Sequence, residues 1–289
     1  LTTIHLLQAS QTILETRTAL SQLTHPIALV PTMGALHAGH LSLIERAKQQ
    51  SKSVVVSIFV NPTQFAPSED FKKYPRPIEE DLKLCHEAGV DLVFNPSVDE
   101  MYPPNAPTIH VEATDLTQIL DGISRPTHFA GVCQVVAKLF NIIQPQLAFF
   151  GEKDFQQLAV IRAMTLGLNF PIEIVGCPTL RDPDGLALSS RNQFLSAQER
   201  TRALAISRSL RQVVDQYRQG KRSADALRQL MRQTLLTSTV QDNIPIELHY
   251  ATIVDRTTLE ELKTIDQPAQ ALVAMKVGRT RLIDNMALD

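Results

Sequence analysis

Cysteine, tryptophan and unbalanced charge are what this sequence has least of. Three cysteines stand among 289 residues, Cys85, Cys133 and Cys177, and none forms a C-x-x-C pair. That spacing argues against a disulfide scaffold and a cysteine-built zinc site, and free thiols in a reducing cytoplasm are expected. Lys and Arg number 28 against 30 Asp and Glu, a formal net charge of −2. With no basic excess, neither broad nucleic-acid binding nor a polybasic membrane contact is expected. No apolar run reaches the length of a bilayer span, and the first residues read as a polar amphipathic helix rather than a leader. Two common nucleotide signatures are also missing: there is no G-x-x-x-x-G-K-[ST] loop and no G-x-G-x-x-G fingerprint. Tryptophan is absent, which decides nothing. At this length the chain can bury a sizeable core in one or two domains.

What is present centres on Pro31-Thr-Met-Gly-Ala-Leu-His-Ala-Gly-His40. The apolar run Ile27–Val30 before it reads as a buried parallel strand, and Leu41–Lys48 after it reads as a helix. Two histidines three apart therefore sit where a helix begins, on one face. The first turn of a helix offers unpaired N–H groups and partial positive charge. Gly34 and Gly39 would let a ligand approach the backbone. The combination suits nucleotide phosphates met by imidazole and backbone N–H groups. His-x-x-His also occurs in metal sites, but no other Cys, His, Asp or Glu group with ligand spacing stands nearby, so no protein metal site is expected.

Further along, strands are expected at Ser53–Val60, Asp91–Asn95, Leu147–Phe150 and Ile172–Val175, with a short one near Ile109. Helices are expected over 8–22, 78–88, 131–143 and from 151 through 166. Strand alternating with helix is the pattern of a doubly wound parallel sheet. The pattern changes after Thr179. Ser196-Ala-Gln-Glu199 reads as a capping box opening a long helix to about Gln219. A helix over 224–236 follows, then three strands near 247–254, 271–277 and 281–284. The expected architecture is thus α/β: a Rossmann-like nucleotide-binding domain over 1–179 and a smaller α+β domain over 180–289.

Five segments stand out in order along the chain: 31–40, Phe59-Val-Asn-Pro-Thr-Gln-Phe65, Arg125-Pro-Thr-His-Phe-Ala-Gly-Val132, Phe150-Gly-Glu-Lys-Asp-Phe-Gln-Gln157 and Asp184-Gly-Leu-Ala-Leu-Ser-Ser-Arg-Asn192. The first and last resemble the HIGH and KMSKS signatures of the adenylate-forming nucleotidyltransferases. Together, and in order along the chain, the five resemble the pantoate–β-alanine ligase (pantothenate synthetase) family.

The resemblance implies an AMP-forming ligase in which ATP and (R)-pantoate give pantoyl adenylate and pyrophosphate, and β-alanine then gives pantothenate and AMP. It assigns ATP binding to Met33, Gly34, Ala35, Leu36, His37, Ala38, Gly39 and His40, to Gly151, Glu152, Lys153 and Asp154, to Leu180, and to Leu188, Ser189, Ser190 and Arg191. His37, His40 and Lys153 are the expected catalytic donors. Gln64 and Gln157 are matched to pantoate, and Gln64 also to β-alanine. Leu188 stands where some relatives have Met, and with no second lysine there Lys153 is the expected cation. Asn61 and His128 are expected as pocket neighbours or as loop anchors.

Mg²⁺ is expected on the nucleotide phosphates. The second domain is expected to act as a lid. The partners expected are small molecules, not nucleic acid or membrane, together with a second copy in a homodimer. Some relatives are fused to a downstream nucleotide kinase, so a chain excised from such a fusion is one further expectation. Rival readings are a nucleotidyltransferase that keeps its product nucleotidylated, a synthetase-type RNA-binding module, and a non-catalytic scaffold.

Overall fold

The computed structural model describes residues 7–65, 71–237 and 244–289. The chain divides into two compact units. One comprises Leu1–Glu152 with Gln156–Pro178, the other Thr179–Asp289 with Lys153–Phe155.

In the first unit the elements run β1 (Gln8–Ser10), α1 (Ile13–Leu20), β2 (Ile27–Thr32), α2 (Ala38–Gln50), β3 (Ser53–Ile58), α3 (Ile78–Glu87), β4 (Leu92–Phe94), α4 (Val98–Met101), α5 (Thr114–Thr117), α6 (Asp121–Ser124), α7 (His128–Ile143), β5 (Leu147–Gly151), α8 (Phe155–Gly167, all but its first residue) and β6 (Glu173–Cys177). The strands form one sheet in the order β1-β4-β3-β2-β5-β6, parallel at every pairing. Residues of β3 and β4 such as Val55, Val56, Leu92 and Val93 are fully buried, as are Ala28–Val30 of β2. Strands covered on both faces read as unbroken apolar runs rather than alternations, and these do. Helix α7 is buried at 11 of its 16 positions, so it serves as a core element rather than a surface helix.

Two sequence expectations fail here. Residues 8–22 are not one helix: Gln8–Ser10 pairs with Leu92–Phe94 as an edge strand, and the helix starts at Ile13 behind an N-cap at Thr12. Ser10 and Thr16 are both buried, and their hydroxyls bond at 2.8 Å, tying strand to helix. The strand expected near Ile109 is also absent. Residues 107–113 are irregular, and the Gln134 side chain donates to the Ile109 carbonyl.

Strand order positions the site. From β2 the chain builds outward through β3 and β4, then returns to the other side of β2 to lay down β5 and β6. The direction of winding reverses between β2 and β5, and ligands of open α/β sheets bind outside the carboxyl ends at such a reversal. There β2 runs into Met33–His40 and β5 ends at Gly151.

In the second unit α9 (Ala197–Arg218) and α10 (Ala224–Thr237) precede β7 (Ile246–Asp255), β8 (Ala269–Val277) and β9 (Thr280–Leu288), an antiparallel sheet in that order. The expected capping box opens α9: Ser196 Oγ accepts from Glu199 N, and Glu199 Oε2 accepts from Ser196 N. Ile206, Leu210 and Val213 of α9 and Leu227 and Met231 of α10 bury against Ile253, Val273 and Met275 of the sheet.

Candidate active site

His37 is the N-cap of α2, and its Nδ1 accepts the N–H of Gly39 at 3.1 Å. His40 is the third helical residue, and its Nδ1 accepts the N–H of His37 at 3.3 Å. Two histidines thus form the reciprocal cap usually built from a hydroxyl and a carboxylate. Because each Nδ1 is an acceptor, each ring, when neutral, carries its proton on Nε2. Both rings therefore present an Nε2–H donor, with centroids 4.2 Å apart. Gly39 is required by this cap, since a Cβ there would lie 2.8 Å from Cε1 of His37. The glycine serves the protein's own imidazole, rather than only opening a path to a ligand.

The backbone donors at Gly34, Ala35 and Leu36 are committed within the protein. Gly34 N–H bonds Thr32 Oγ1 at 3.2 Å, and Ala35 and Leu36 N–H bond the two carboxylate oxygens of Asp81 at 2.9 and 2.7 Å. Asp81, on α3, is 1% exposed. Sequence reading placed donors at this turn but missed the carboxylate that holds it. Asp81 follows Glu79 and Glu80 in the first turn of its helix, where acidic residues are ordinary.

Gln64 lies in the short 3-10 turn Pro62–Gln64 after β3 and is 8% exposed. Its Nε2 is 2.9 Å from Met33 Sδ, so the residue matched to pantoate sits against the start of the histidine turn. Asn61 is buried, and its Nδ2 donates to Gln64 Oε1 at 3.2 Å and to the Gly131 carbonyl at 3.0 Å. The His128 ring bonds the Gln64 carbonyl through Nδ1 at 3.0 Å. Asn61 and His128 therefore both fix the loop that carries Gln64. Gln157 is half-buried on α8. Its neighbour Gln156 is buried and clamps the chain at Leu116, Ile119 and Asp121 through its own amide.

Within the second unit, Lys153, Ser189, Arg191, Asn192, Arg281 and Asp284 line one cavity. The Asn285 side chain donates to the Lys153 carbonyl at 2.9 Å, and Lys153 Nζ lies 3.7 Å from Asp154. Ser189 caps the turn Ser190–Phe194 by accepting from Arg191 N at 3.2 Å. Leu188 N–H donates to the Leu180 carbonyl at 2.9 Å, closing a hairpin over residues 180–188. Arg181 beside it forms a two-pronged ion pair with buried Asp284 at 2.6 and 2.9 Å. Leu180 itself is 41% exposed.

Among the described residues no group of three or more His, Cys, Asp or Glu side chains is placed to hold a metal ion, and no helix is long and apolar enough to cross a membrane. All three cysteines are buried, and burial pushes the Cys85 thiol up to about 12 and those of Cys133 and Cys177 up to about 11. A group with its pKa raised this far stays protonated throughout the neutral range, and only thiolate is a strong nucleophile. Native protein at pH 8 should therefore resist iodoacetamide at all three positions, whereas urea-denatured protein should take three labels. Rapid native labelling at any one would show that its thiol is not sequestered.

A parallel sheet with a histidine-capped helix start at its winding reversal defines a Rossmann-like nucleotide-binding protein. Within that class, the family model for pantoate-beta-alanine ligase matches residues 4–287, and the chain belongs to that family. The pantothenate synthetase of Roseiflexus sp. (strain RS-1) is 48% identical over 279 residues, 96% of this chain and 98% of the relative. That of Thermotoga petrophila is 50% identical over 262 residues, 91% of each chain. The crystal structure of pantothenate synthetase from Thermus thermophilus superposes with a TM-score of 0.88 at 44% identity, covering 96% of this chain and 98% of that one. A pantoate-beta-alanine ligase from Francisella tularensis, solved with a β-γ ATP ligand and β-alanine, gives a TM-score of 0.77 at 34% identity over 97% of both chains.

Proposed function

We propose that this enzyme joins (R)-pantoate to β-alanine at the expense of ATP, through pantoyl adenylate. The observation that carries the reading is the seat of Gln64. A buried amide able to serve both a hydroxyl and a carboxylate sits 2.9 Å from Met33, at the head of the turn that carries His37 and His40. Family membership supplies the reaction.

In the first step a pantoate carboxylate oxygen attacks the α-phosphorus. The bond to the β-phosphate oxygen breaks, and pyrophosphate leaves with the electron pair. Negative charge grows on the phosphate oxygens, and preplaced donors that meet such charge lower the barrier most. The Nε2–H groups of His37 and His40 take that role, with the N-terminus of α2 behind them. Lys153 supplies a compact cation to the same oxygens. Gln64 and Gln157 hold the acid by neutral amides, which can donate to a carboxylate and also serve a hydroxyl. In the second step the free amine of β-alanine, also held at Gln64, attacks the acyl carbon. The C–O bond to AMP breaks, and the amine gives up a proton to solvent. Holding amine and adenylate together supplies effective molarity on the order of 10⁵ M or more.

Mg²⁺ belongs to the same proposal as a companion of ATP, where it would neutralise part of the phosphate charge while bound mainly by phosphate and water oxygens. Met33–His40, Gly151–Asp154, Leu180 and Leu188–Arg191 form the proposed ATP contacts. The second unit is proposed as a lid, with Ser189–Arg191 reaching the phosphates in the ATP–pantoate state and excluding water from the adenylate. A homodimer and a cytoplasmic setting complete the reading.

Product analysis tests the reaction. ATP–pyrophosphate exchange should require pantoate alone, and AMP should appear in quantity only when β-alanine is added. Exchange without pantoate, or ADP as the nucleotide product, would contradict the proposal.

A further inference from the structure

Asn61 stands at the centre of a hydrogen-bond chain whose polarity can be read. Its Oδ1 accepts from Thr63 N at 3.3 Å, Thr63 Oγ1 at 3.0 Å and Tyr102 OH at 2.9 Å. Its Nδ2 donates to Gln64 Oε1 and to the Gly131 carbonyl. Donors surround one end of this amide and acceptors the other, so the reverse orientation would break the network. The next link follows. With Asn61 donating, the Gln64 oxygen is turned inward and its NH₂ is the end directed at Met33. A carboxylate substrate needs that orientation, because the amide oxygen in the same place would repel it.

The donor that starts the chain is Tyr102, immediately after α4. Its backbone N–H bonds the Val98 carbonyl at 2.7 Å. Its ring lies 6.2 Å from that of Phe59, with Lys138 Nζ 5.6 Å from the ring centre on the face. Burial raises the phenol above its ordinary value, so the hydroxyl remains a donor across the neutral and mildly alkaline range. Bonds in such a chain polarise one another, and losing the first loosens those that follow.

We propose that Tyr102 is a positioning residue that acts through Asn61 to set which end of the Gln64 amide faces the carboxylate of the organic acid. This rests on the reading of Gln64 as a pantoate ligand. Tyr102→Phe removes only the hydroxyl. It should raise the KM for pantoate about five- to tenfold, with the KM for ATP unchanged and kcat within about twofold. In a Gln64→Ala background the same substitution should have no further effect on the pantoate KM. Asn61→Asp, which puts an acceptor against Gln64 Oε1, should raise the pantoate KM more than Tyr102→Phe does. Unchanged pantoate KM in both Tyr102→Phe and Asn61→Asp, or a parallel rise in both substrates' KM values with a lowered Tm, would overturn the positioning role. If Gln64→Ala itself left the pantoate KM at the wild-type value, the assignment of Gln64 would fall first, separately from the role of Tyr102.

Discussion

His40→Ala should lower the rate of pantoyl adenylate formation by about 10²–10³-fold, the usual loss when one preplaced donor to a developing oxyanion is removed. The structure gives this substitution two consequences. It deletes the Nε2–H donor, and it deletes the Nδ1 acceptor for the His37 N–H. The second is the return bond of the reciprocal cap, worth about 0.5–1.5 kcal/mol of stability. His40→Gln separates them, because glutamine at the third helical position is itself a capping-box acceptor. We expect His40→Gln to recover most of the lost stability and little of the lost rate. Rapid-quench measurement of the adenylate, alongside urea denaturation, checks both. Recovery of rate together with stability would mean that His40 serves mainly as a cap.

Asp81→Ala should be the most damaging change outside the substrate contacts. Its carboxylate satisfies the N–H groups of Ala35 and Leu36. Each buried donor left unmade costs about 1–3 kcal/mol. The turn also holds Gly34 at φ +81° and Ala35 at φ +50°, the latter in a region costly to a residue with a Cβ. Without Asp81 the bonds that fix the Ala35 and Leu36 N–H groups are lost, so the turn should relax and carry the histidines with it. We expect a loss of about 2–5 kcal/mol and an ATP KM raised more than tenfold. Asp81→Asn, which keeps one oxygen acceptor, should fall between. Wild-type stability and ATP KM in Asp81→Ala would show that the turn is held by other means.

How much of this was legible in the sequence depended on the range of the interaction. The central strands were readable because burial on both faces leaves unbroken runs such as Val54–Val56. The histidine turn was readable because its donors are three apart on one element. Strand β1 was not, since three residues carry no usable period and its partner lies more than 80 positions away. Asp81 and Tyr102 escaped for a related reason. One looks like an ordinary acidic residue at a helix start, and the other sits in a proline-rich loop, so only the fold reveals the N–H groups and the amide they serve. Gly131 was visible as part of a motif but without a reason. In the structure a Cβ there would meet the Thr63 carbonyl at 2.4 Å, so the glycine lets α7 approach the loop that bears Gln64. The grouping of Lys153–Phe155 with the second unit has no local signature at all.

A crystal structure of the enzyme soaked with ATP and pantoate, with β-alanine withheld, tests the assignment of this site most directly. Density for pantoyl adenylate should bridge the two histidine Nε2 atoms, at its phosphate, and the Gln64 amide, at its pantoyl end, with Ser189–Arg191 drawn to the nucleotide. An intermediate bound away from His37, His40 and Gln64 would contradict it.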